Sequence, residues 1–105
     1  MTSLVSIFDN IQYGEKSPKL NVLINSDYSK EILITFLKGQ VLKEHNAPYP
    51  IVIHIIEGSI DFGINGQRIL LNKGNLITLE AKVLHDLIAN EDSIVRLSLL
   101  KSNIS

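Results

Sequence analysis

The side chains best suited to chemistry in this 105-residue chain are its three histidines, His45, His54 and His85. A neutral imidazole is a metal ligand, a general base or a hydrogen-bond partner near physiological pH. Carboxylates stand close to each ring: Glu44 precedes His45, Glu57 follows His54, and Asp86 follows His85. The chain has no cysteine, which excludes disulfides, thiolate metal sites, cysteine nucleophiles and thiol redox chemistry. It also lacks a phosphate-cradling glycine loop, a nucleophile elbow, a His-Glu-x-x-His helix and a dinucleotide fingerprint. A Ser-His-Asp triad is recognised by geometry, so spacing singles none out.

The histidines need a scaffold, and the sequence reads as short β-strands divided by turns. Strands are expected at 20–25, 31–37, 41–45, 51–57, 59–64, 67–71, 75–79, 85–89 and 93–100. Ile60, Phe62 and Ile64 alternate with Ser59, Asp61 and Gly63 ahead of Asn65-Gly66, the preferred pair for a two-residue hairpin turn with positive φ at both positions. Many short strands at this spacing predict an all-β sandwich or barrel. Only Ser3–Ile11 reads as a short helix or helical turn. Alternation puts Ile51, Ile53 and Ile55 on one face of their strand and His54 on the other. The same rule turns Glu44 and Asp86 away from the side that His45 and His85 face. Glu57, Asp61 and Glu80 read as strand-end, exposed-face and turn residues.

Composition agrees with one globular domain over 1–105: 45% apolar and 20% charged residues, with a net charge of −1. Binding to nucleic acid needs clustered Lys and Arg, and none is present. The longest apolar run, Ile51–Ile56, is interrupted by His54 and is too short to span a bilayer. Met1–Ile7 has no basic stretch followed by an apolar one, so a cytoplasmic location is expected. Asn103-Ile104-Ser105 matches a glycosylation sequon that such a location leaves unused.

Two segments carry a resemblance. GQVLKEHNAPYPIVIHIIEG runs from Gly39 to Gly58, and GNLITLEAKVLH runs from Gly74 to His85. Their order, their spacing and the Asn65-Gly66 hairpin between them are similar to the two motifs of the cupin superfamily, over about residues 30–100. The first family motif is a glycine, His-x-His, a glutamate and a glycine. The second is a glycine, Pro-x-Gly, a histidine and an asparagine. Gly39, His45, Gly58, Gly74 and His85 match in type. Ala47 stands in the place of the second histidine and Ile51 in that of the glutamate, while Glu80 and Lys82 replace the proline and glycine and Ala89 the asparagine. The resemblance implies a double-stranded β-helix, or jelly-roll, barrel.

It also implies a site with two of four metal donors lost. Two imidazoles bind a divalent metal weakly, and an Ile in place of a carboxylate dries the interior. The expectation is therefore a barrel that binds a small molecule of unknown class without a cofactor, in a pocket lined by His45, His85, Ile51, Ile53, Phe36 and Phe62. Ile34, Ile55 and Leu97 share that interior face. The alternative is a metal-dependent oxygenase or isomerase with a divalent ion held weakly by His45 and His85. A third reading is a filled barrel that acts through its surface. Val52, Ile56 and Leu70 fall on faces opposite the interior, and small cupins are commonly homodimers, so a homodimer is expected.

Overall fold

The structure is a computed structural model, and it describes residues 2–101; the sequon at Asn103 lies outside them. Nine strands are found among the described residues: β1 Lys19–Asn25, β2 Ser29–Phe36, β3 Val41–His45, β4 Ile51–Glu57, β5 Ser59–Ile64, β6 Gln67–Asn72, β7 Leu76–Leu79, β8 His85–Ala89 and β9 Ser93–Leu100. They match the expected runs to within two residues at every boundary. β-Branched residues fill them, and their branched Cβ atoms suit the pleated surface.

Two antiparallel sheets face each other. One has the order β1-β2-β9-β4-β7 and the other β3-β8-β5-β6. Successive strands mostly alternate between the sheets, so the chain winds as a jelly roll. Asn65 and Gly66 have φ values of 51° and 73°, as the mirror-image hairpin turn between β5 and β6 requires.

The inner faces meet in one core. Ile34, Phe36, Ile51, Ile53, Ile55 and Val95 come from the five-stranded sheet, and Ile60, Phe62, Leu71, Leu87 and Ala89 from the other. Full burial of each large side chain contributes roughly 1.5–3 kcal/mol, which is how a domain this small stays folded.

The N-terminal segment is not helical. Residues 7–10 make a single turn, with the Asp9 N–H donating to the Ser6 carbonyl at 3.2 Å. Beyond that turn the segment is tied to the outer face of the five-stranded sheet. The Thr35 hydroxyl donates to the Gln12 carbonyl at 2.6 Å, and the Gln40 amide donates to the Gly14 carbonyl at 2.7 Å. Leu33 and Thr35 are buried although they sit on this outer face. The expected short helix or helical turn at Ser3–Ile11 is thus a single turn, and the residues after it are anchored by Thr35 of β2 and by Gln40 of the loop between β2 and β3.

Val52 and Ile56 point outward from the five-stranded sheet, while Leu70 points outward from the four-stranded one. They lie on opposite sides of the molecule and form no single patch.

Candidate functional site

β3 and β8 are neighbours, and their register sets His45 opposite His85. The ladder is irregular between Leu42 and His45, where β3 spends three steps against two on β8. Such a bulge reverses the alternation, so Leu42 and His45 both face inward. Glu44 is exposed and Asp86 lies on the outer face, paired with Arg68 at 2.9 Å.

The two rings are in contact, with centroids 4.3 Å apart and planes tilted by 57°. Phe62 lies beyond His85, at 6.0 Å between centroids. Each imidazole is oriented in the same way. His45 Nδ1 is 2.7 Å from the Lys43 carbonyl and His85 Nδ1 is 2.9 Å from the Val83 carbonyl. A carbonyl only accepts, so each Nδ1 carries the proton and donates, and in the neutral ring each Nε2 is left as a bare acceptor. His85 is 1% exposed, and its Nε2 has no hydrogen-bond partner. Burial, the largest influence, holds the His85 imidazole below the ordinary histidine range; the Val83 carbonyl opposes this shift, the His45 ring adds to it, and Asp86 opposes it.

These rings open on a cavity of about 310 Å³ at one end of the barrel. Leu20, Ile32, Ile34, Ile51, Leu97 and Leu99 of the five-stranded sheet form one wall. The other consists of Leu42, the two histidines and the rim residues Asn46, Ala47 and Pro48. The rim is pinned by the Lys82 N–H, which donates to the Ala47 carbonyl at 2.7 Å. Lys82 holds φ at 70°, a left-handed conformation that costs a residue with a Cβ about 1 kcal/mol or more.

His45, His85 and Ile51 thus meet at one cavity. Phe36, Ile53 and Phe62 share the inner face but lie deeper, fully buried in the filled half of the barrel, and do not line it. Sequence reasoning left out Leu20, Ile32, Leu42 and Leu99. Alternation along their strands carries the signal for them, but it does not say which end of the barrel stays open. His54 faces away from the cavity, in register with Leu76 and Arg96.

The sequence profile of the family described as "Cupin domain" matches residues 32–100. The chain belongs to the cupin family. Solved structures agree at the level of fold. An RmlC-like cupin protein from Desulfovibrio desulfuricans is 18% identical with a TM-score of 0.88, covering 96% of this chain and 98% of that one. A conserved protein with a double-stranded β-helix domain from Klebsiella pneumoniae is 16% identical with a TM-score of 0.87, covering 100% and 95%. A conserved protein of unknown function from Streptococcus pyogenes is 17% identical with a TM-score of 0.81, covering 99% and 91%. None of the curated proteins matches the chain.

Ala47 and Ile51, the residues that motif spacing sets against the family's second histidine and glutamate, both line the cavity as hydrocarbon. The imidazoles are aimed as metal-bound rings are, with Nδ1 on a carbonyl and Nε2 free. It is the donor count that fails. Among the described residues no three His, Asp or Glu side chains converge, and a tightly held divalent ion generally needs three or more. The residues present do not fit a resident metal.

Proposed function

We propose that this cupin binds a small, largely apolar molecule in the open end of its barrel, without a resident metal and with His45 and His85 as the polar contacts. The cavity itself carries the reading. Side chains fill the rest of the interior, yet about 310 Å³ remains open between aliphatic walls beside two oriented imidazoles. Apolar walls with a few placed polar groups are the usual make-up of a ligand pocket, and this volume lies at the small end of the known range. A barrel that served only as a structural module has no need to leave its mouth unfilled.

Titration with a neutral naphthalene-sized fluorophore, 2-methoxynaphthalene, tests the proposal. The expected result is saturable binding at one site per chain, lost in Ala47→Trp, where the new ring occupies the cavity from its rim. Binding that survives Ala47→Trp, or no saturable binding of either this ether or its parent 2-naphthol, removes the proposal. So does stoichiometric metal in protein purified without chelators, if that metal is lost in His45→Ala.

A further inference from the structure

We propose that the cavity selects ligands that bring a hydrogen-bond donor, neutral alcohols or phenols with an apolar body, and rejects carboxylates of the same shape. This rests on the binding function proposed above and adds the chemistry of the ligand's polar end.

The argument starts from the backbone. Lys43 and Val83 each present a carbonyl two residues before a histidine, and each carbonyl takes the Nδ1 proton. That fixes the same tautomer in both rings. Both rings line the cavity, and in the neutral form each Nε2 is able to accept but not to donate. The His85 Nε2 is buried and unpartnered, and a buried polar atom without a partner is a standing penalty that a ligand donor removes. The cavity lining holds no lysine or arginine. A carboxylate would bring acceptors to the two ring acceptors and would shed its water with no cation to receive it, the Asn46 amide at the rim being a neutral donor only. Protonating the rings to receive it would place two positive charges on imidazoles whose centroids are 4.3 Å apart, one of them fully buried. A cavity of about 310 Å³ holds roughly ten water-sized groups, enough for one ring with a short chain or two fused rings.

The experiment compares 2-naphthol, 2-methoxynaphthalene and 2-naphthoate at pH 7.5 by fluorescence titration. The naphthol and its methyl ether share a body and differ in the donor. The expected result is naphthol binding about tenfold tighter than the ether, the ratio one net hydrogen bond gives, and naphthoate binding weakest. In His85→Phe the ratio should fall. Nitrogen NMR of the unmodified protein gives a readout that does not depend on the variant folding. Both rings should show the Nδ1-protonated tautomer, and the His85 Nε2 resonance should shift on adding naphthol and not on adding the ether. Equal affinity for naphthol and ether overturns the donor rule and leaves the binding proposal standing. Tightest binding by naphthoate, or a proton on Nε2 of either neutral ring, also overturns it. If none of the three binds, both proposals fall.

Discussion

Ile51→Glu tests whether the histidines retain the frame of a metal site that now lacks a donor. Ile51 is 2% exposed, lines the cavity and pairs with Leu79 and Leu99, so a longer acidic side chain there has nowhere to go but the cavity. Without metal the variant loses roughly 1.5–3 kcal/mol of apolar burial. Placing a carboxyl group among aliphatic walls costs about 1–3 kcal/mol more. The total, about 2.5–6 kcal/mol, is a large part of the 5–15 kcal/mol typical of a whole domain. With zinc the position supplies a third donor, making the two-histidine, one-carboxylate set that holds zinc in many proteins. Metal at one hundred times its dissociation constant restores about 2.7 kcal/mol. For a domain of this size that raises the melting temperature by roughly 10–20 °C. The assay is thermal unfolding at pH 7.5 with and without zinc, beside the unmodified protein, whose melting temperature should move little. The reasoning is refuted if zinc stabilises the unmodified protein as much, because the native donor set would then be complete. It is also refuted if the folded variant gains nothing, because the imidazoles would not converge on position 51.

The buried His85 makes stability pH-dependent. Its folded-state proton affinity is lowered, mainly by burial, so as pH falls below about 6.5 the unfolded chain takes up the proton first. Stability conferred by the neutral ring is present above that pH and declines as pH drops towards the lower folded value, with a slope of at most about 1.4 kcal/mol per pH unit. Urea midpoints between pH 7.5 and 5 should show this fall, and His85→Phe should flatten it; a midpoint that rises on acidification only when His85 is present contradicts the assignment. Two glycine substitutions should rank clearly. An alanine Cβ at Gly58, where φ is +94°, would lie 2.1 Å from Ser93 Oγ and 2.6 Å from the Asp92 carbonyl oxygen, so Gly58→Ala should cost more than about 2 kcal/mol. At Gly63 the clash is with the tips of Asp86 and Arg68, which can swing aside, so urea unfolding should show Gly63→Ala to be the milder change.

The strands were legible because their signals are local. The alternation before Asn65-Gly66 and the apolar run Ile51–Ile56 each specify a strand without reference to the rest of the chain. The course of the N-terminal segment was not, because it is held by Thr35 and Gln40, residues distant in sequence, and no local pattern encodes those bonds. The candidate site was half legible. Motif spacing singled out His45, His85 and Ile51, and the register of β3, β8 and β4 brings them together. Alternation reports which face a residue takes but not how far along the barrel it sits. Ile51 and Ile53 share a face, yet one borders the cavity and the other is packed below it. Lys82 takes a left-handed backbone that its residue type does not announce, and its N–H donates to the Ala47 carbonyl.

The irregularity in β3 also bears on how this interior could change. Between Leu42 and His45 the strand carries one more residue than its partner needs. Removing Lys43 would straighten the ladder and keep both imidazoles face to face. Straightening it at full length would bring Glu44, not His45, opposite His85, and an acid would replace a base at the mouth of the barrel. A one-residue shift of register, with the sequence unchanged, separates two quite different chemistries.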